Sequence, residues 1–362
     1  MKRMPVAHRG WKDCSMAFFR SVGSWLFVAV FCQTLLTGTP LPAAPLADPL
    51  VLLESVAGGG RLATSPSGQT LYVLHQQDGA VTALQPFEPS KRWEAIPPAP
   101  AGSGRRTVAI ACLDSSTLAL VCCTDQVWSV RVHRVAGPGD DAPGDEAVQT
   151  VNLGKATAEI TGIEGLDVAV SPARDWLAVV GLPAPMPSLV RCSIAGSRLG
   201  GFTERRCPRG LAERPAAFTL SPRDEWVLFM PQPAGTAALL AMHSGSGLLR
   251  LLQVGSGLQR VRDAAYSRDG TSLWAVGEGM PTAATGSVPQ EGLWRIDAAL
   301  EQGRQQARAT CVAALVAPQS LQCLPNQSIA VMHGRDVSRV VRVSVENFSG
   351  EQPRGNEPAR ED

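Results

Sequence analysis

Six times along the chain a short apolar run meets a polar turn and resumes as a second apolar run. Ser65-Pro66-Ser67-Gly68 precedes Leu71-Tyr72-Val73-Leu74, and Ser171-Pro172-Ala173-Arg174 precedes Trp176-Leu177-Ala178-Val179-Val180. Ser221-Pro222-Arg223-Asp224 precedes Trp226-Val227-Leu228-Phe229, and Ser267-Arg268-Asp269-Gly270 precedes Leu273-Trp274-Ala275-Val276. Two weaker copies share the frame, one with its turn at 113–116 and one at 324–327. A phrase that recurs on this scale marks a repeat architecture.

Each copy extends into a four-stranded unit. The first strand precedes the turn and the second follows it. A third comes after a polar loop, as at 80–85, 126–132 and 188–194, and a fourth leads on to the next unit, as at 92–96, 148–153 and 202–207. Most show period-two alternation or short β-branched runs, the pattern of half-buried strands. The sixth unit lacks a fourth strand, while Val51–Val56 is a strand with no unit of its own. Pairing Val51–Val56 with the last unit closes a ring and hides both outermost edges. The pattern therefore predicts an all-β chain with a single β-propeller of six four-stranded blades, or seven if a degenerate one occupies 133–165 or 277–310.

Two stretches carry a family likeness. Ser-Pro-Ser-Gly-Gln-Thr-Leu-Tyr-Val at 65–73 is similar to the YVTN phrase, and Asp125–Val132 resembles a WD40 third strand. The resemblance to WD40 and YVTN propellers covers roughly residues 50–347, although the Trp-Asp and Gly-His pairs of WD40 repeats are absent. It implies a radial scaffold, and with it two uses: binding, or lactonase-like hydrolysis in a central channel.

Three regions follow. Residues 1–47 carry basic residues, then the apolar run Trp25–Cys32 and a Pro/Ala-rich stretch, the layout of a secretory signal or an uncleaved anchor. Residues 48–348 are the propeller, and 349–362 read as a disordered tail. The protein is thus expected to be exported (periplasmic, secreted or lumenal) or held at a membrane through that N-terminal segment alone. A mitochondrial presequence is the weaker alternative.

The 362 residues carry a net charge of +1, so no whole-molecule field draws the chain to nucleic acid. No Cys-x-x-Cys pair, Gly-x-Ser-x-Gly elbow, phosphate loop or His-Glu-x-x-His occurs, and no cofactor or metal is expected. Four asparagines are too few for a calcium cage of the lactonase kind. His75 and His333 end equivalent second strands without a nucleophile beside them. A hairpin turning at Leu199-Gly200 would set Cys192 opposite Cys207 as a candidate disulfide. Loops entering the inner strands carry Arg61, Arg105, Arg106, Lys155, Arg209, Arg214, Arg260 and Arg262. A ring of such cations on one face would bind a protein or acidic ligand. The leading expectation is a non-catalytic binding scaffold.

Overall fold

The computed structural model describes residues 49–345, apart from residue 57 and the segments 141–145, 156–165, 183–188, 206–215, 222–224, 231–237, 244–248, 256–257, 281–288 and 297–305. The N-terminal segment 1–47 and the tail 349–362 lie outside the described residues. No helix among those described is long and apolar enough to cross a membrane.

The described residues form six four-stranded antiparallel blades. Blade one holds β2 (Gly60–Thr64), β3 (Leu71–His75), β4 (Val81–Gln85) and β5 (Glu88–Ile96). Blade two holds β6 (Arg106–Asp114), β7 (Thr117–Thr124), β8 (Val127–Arg134) and β9 (Gln149–Lys155). Blade three holds β10 (Asp167–Val170), β11 (Trp176–Val180), β12 (Leu189–Ala195) and β13 (Arg198–Arg205). Blade four holds β14 (Ala217–Leu220), β15 (Glu225–Met230), β16 (Ala238–His243) and β17 (Leu249–Gly255). Blade five holds β18 (Leu258–Tyr266), β19 (Leu273–Gly279), β20 (Gln290–Ile296) and β21 (Gln306–Ala314).

Blade six takes β22 (Pro318–Leu324), β23 (Ser328–His333) and β24 (Ser338–Ser344) from the end of the chain, and its fourth strand, β1 (Leu50–Val56), from the beginning. The pairing predicted for Val51–Val56 is present: Leu50 faces Arg342, Val51 faces Val341, Leu53 faces Val340 and Val56 faces Ser338. The register shifts twice along this ladder. The extra residue lets both Leu52 and Leu53 turn inward, where they pack with Leu62, Val73, Met332 and Val340 at the seam of blades six and one.

The recurring turn has a physical reason. The backbone N–H of Gly68, Arg174 and Gly270 each donates to the carbonyl of the serine three residues earlier. All three sit in the left-handed region, at φ of 72°, 57° and 72°. The serine hydroxyl then accepts the N–H where the next strand begins: Thr70 at 3.0 Å, Asp175 at 3.1 Å and Ser272 at 2.9 Å. Serine competes locally for backbone groups in this way, so it favours turns over strand interiors.

The core lies between neighbouring sheets, as radial packing requires. Trp128, Val130 and Ala109 of blade two meet Val168, Leu177 and Val190 of blade three. Trp176 and Trp274 are both buried, as inter-blade packing predicts, while the Trp226 side chain lies outside the described residues. Blades four and five share more than a seam. Gln253, Val254 and Gly255 of β17 pair in parallel with Gln306, Ala307 and Arg308 of β21, fusing two blades into one eight-stranded sheet.

The third blade corrects one expectation. Its outer hairpin turns at Gly196-Ser197, with Ala195 facing Arg198, so Cys192 stands opposite Phe202. Cys192 is a free, buried thiol, and Cys207 lies outside the described residues. Burial pushes the Cys192 thiol up to about 11, which suits a packed side chain.

Leu52 is 4% exposed and Leu50, on the same strand, 43%. Leu52→Ala should cost about 2–5 kcal/mol through lost packing at the closing seam. Leu50→Ala should stay within about 0.5 kcal/mol. Urea unfolding of the two variants checks the difference.

Candidate functional site

Each inner strand presents one edge to the axis, and the six edges enclose a cavity of about 230 Å³. Strand registers place one residue of each blade on a common tier. Arg61 pairs with Leu74, Ala109 with Val121, Asp167 with Val180, Ala217 with Phe229, Asp263 with Val276 and Ser320 with Met332. Around the ring the tier reads Arg, Ala, Asp, Ala, Asp, Ser. Charged residues occupy alternate blades, and small ones separate them.

Backbone chemistry explains part of this tier. The axial edge of an inner strand has no strand to pair with, so its N–H groups need side-chain acceptors. The Asp263 carboxylate accepts from the Ser320 hydroxyl at 2.7 Å, the Leu321 N–H at 2.9 Å and its neighbour Ala264 N–H at 2.8 Å. The Ser320 hydroxyl accepts in turn from the Leu62 N–H at 3.2 Å. One relay thus joins blade five to six and six to one, with Asp263 and Ser320 each reaching the next blade's backbone. Arg61 donates to the Gln319 carbonyl at 3.3 Å.

Asp167 is held differently. Its carboxylate accepts from the Val168 N–H at 2.8 Å, and the residue is part-exposed to the channel. Burial raises its pKa to about 7; the Arg61 guanidinium opposes the rise and the Asp263 charge adds to it. Asp263 is also raised by burial, against the pull of Arg61 and of its hydrogen bonds. With Asp263 committed to its relay, Asp167 is the carboxylate with a channel-facing surface.

Six of the eight cations picked out from loop positions divide among three settings. Arg61 belongs to the channel tier. Arg260 and Arg262 are strand residues of β18; Arg260 lies 3.7 Å from Glu278, and Arg262 donates to Glu291 at 2.9 Å. Arg106 opens β6 and Lys155 closes β9, both exposed at the same end of blade two but on its innermost and outermost strands; half-buried Arg105 precedes Arg106, and exposed Asp125 lies in the β7–β8 turn at that end. Arg209 and Arg214 lie outside the described residues. Of the described members of this set, Arg106, Lys155 and Arg260 are exposed, the first two at one end of blade two.

His75 bonds Thr82 at 2.9 Å between the second and third strands of blade one, with its pKa lowered mainly by burial. His333 is likewise lowered by burial, with Arg339 adding to the effect. Neither lines the channel. No group of three or more His, Cys, Asp or Glu among the described residues is disposed to hold a metal ion. The charged tier escaped reading by loop position. Counting four residues back from the turn serines finds Arg61, Asp167 and Asp263 directly.

No protein-family model matches the chain, and no curated protein matches it. Solved structures do. Hydrazine synthase of Kuenenia stuttgartiensis superposes with a TM-score of 0.50 at 12% identity, covering 85% of this chain and 90% of that one. A protein assigned as a 6-phosphogluconolactonase from Bacteroides uniformis gives 0.50 at 14%, covering 80% and 86%. The Cps50 (Swd1) beta-propeller domain of Myceliophteria thermophila gives 0.46 at 9%, covering 83% and 99%. Such likenesses at low identity concern the fold, and the chain is a β-propeller with a charged channel.

The raised Asp167 pKa fixes the sign of a pH effect. Between the ordinary carboxylate range and about 7 the folded state holds a proton that the unfolded state has lost, so stability falls as pH rises through that window. Asp167→Asn should flatten this decline between about pH 4 and 7. Urea midpoints measured across that range for parent and variant test it.

Proposed function

We propose that the chain is a non-catalytic binding platform of the WD40/YVTN kind, exported or membrane-anchored through its N-terminal segment. It recognises a protein or acidic ligand through the face where chain enters the inner strands. The carrying observation is the end of blade two where Arg106, next to Arg105, and Lys155 are exposed on one four-stranded sheet. Arg260 and Arg262 contribute little to that surface, since Glu278 and Glu291 offset them. Both carboxylate oxygens of Asp263 are occupied by protein donors, which supports a structural role for this residue over a part in bond chemistry.

Immobilised poly-L-glutamate is a suitable acidic probe. The triple reversal Arg105→Glu, Arg106→Glu and Lys155→Glu should weaken low-salt capture by about tenfold or more, and added salt should weaken parent capture likewise. Capture unchanged by the triple reversal counts against the basic-face reading.

One observation favours a second reading, hydrolysis of a lactone or related ester in the channel. Asp167 faces the cavity with a pKa near neutrality, the range suited to a general base. If the chain hydrolyses simple lactones, Asp167→Asn should reduce turnover by about a hundredfold or more. A lactone panel followed by acid release decides this, and the absence of turnover in the parent removes the reading.

A further inference from the structure

On the face opposite the basic end of blade two, the seam between blades five and six opens into a second cavity of about 440 Å³. This falls in the size range of sites that enclose small organic molecules, and it is larger than the channel cavity. Its position follows from a difference between repeats. At the seam of blades two and three, Arg174 of the blade-three turn reaches back and donates to the carbonyls of Cys112 at 3.1 Å and Leu113 at 2.8 Å. That side chain covers the seam. The corresponding turn of blade six is Leu324-Pro325-Asn326-Gln327-Ser328. It reverses through two left-handed residues, Asn326 at φ 56° and Gln327 at φ 47°, and contains no arginine. The seam behind it lies open.

The floor and the rim differ in chemistry. Trp274 and Ile329, 4% and 1% exposed, line the floor and belong to the apolar cluster joining blades five and six. Arg295 stands directly across from Trp274 in the β19–β20 ladder, so guanidinium and indole lie on the same face of the sheet. Arg268 brings a second cation to the rim and anchors to the Pro66 carbonyl of blade one. Asp269 also lies on this rim, but its carboxylate is committed to the turn. One oxygen accepts from the Ser267 hydroxyl, the Thr271 hydroxyl and the Thr271 N–H, which hold its pKa below the usual carboxylate range. Among the described residues the lining carries Arg295 and Arg268 together with the ionised Asp269, around an aromatic floor.

We propose that this seam cavity binds a small amphipathic organic anion, with its aromatic or alicyclic body over Trp274 and Ile329 and its carboxylate toward Arg295. Apolar lining supplies the affinity, while the cationic rim orients the ligand and selects its charge.

Calorimetric titration of the full chain with 2-naphthoate, 2-naphthalenemethanol and 2-naphthylmethylamine provides the test. Naphthoate should bind saturably, the neutral alcohol about tenfold more weakly and the amine not measurably, since a hydrogen-bonded charge contributes about that factor. Arg295→Gln should lower naphthoate affinity by about tenfold. Thr271→Trp, at an exposed rim position, should block the cavity without touching the core, and circular dichroism should show both variants folded. Unchanged naphthoate affinity in Thr271→Trp, or equal binding of all three probes, overturns the proposal.

Discussion

The architecture depends on a single strand pairing between the two ends of the folded chain. β1 and β24 are separated by nearly the whole propeller in sequence, yet they share one sheet. Without β1 the last blade would expose an edge and blade one would lose an apolar neighbour, because Leu52, Leu53 and Val56 pack with Leu62 and Val73. Closing so long a loop has an entropic cost that grows only slowly with length. A few buried leucines and a ladder of backbone bonds can offset it. Everything at the axis presupposes that closure, since the tier that spans the channel exists only when six inner strands face one another.

The axis shows how a structural need and a chemical opportunity coincide. Inner-strand edges require acceptors, and Asp263 and Ser320 supply them in sequence from blade five to blade one. The same geometry sets Asp167 and Arg61 on the tier with less demand on their hydrogen-bonding capacity. Burial then acts on both carboxylates, but Asp263 is a bracket between blades and Asp167 a titratable group facing open volume.

Much of the fold was legible because its turns use chemistry that shows in one dimension. The turn serine, the left-handed residue three places on and the apolar runs on either side survive as a readable phrase. Val51–Val56 was legible as a strand without a unit. The third blade was misread because Leu199-Gly200 reads as the turn, whereas the chain reverses at Gly196, which adopts φ 64°, and Leu199 and Gly200 lie within β13. The channel tier was obscured because its members are chemically unlike one another: arginine, alanine, aspartate and serine share a position but no pattern. Arg61 and Arg262, both read as loop cations, point to different partners once the strands are paired, the first toward the axis and the second to Glu291.

The parallel ladder between β17 and β21 has a consequence for the outer circumference. A propeller's rim ordinarily offers one naked strand margin per blade, and each invites a foreign strand. Here the margins of blades four and five are partly spent on each other, and the Gln149 amide covers a stretch of blade three by bonding both backbone groups of Leu199. The circumference is therefore uneven. An incoming extended peptide, or a neighbouring copy adding strand to strand, would find three residues of β17, three of β21 and Leu199 of β13 already paired.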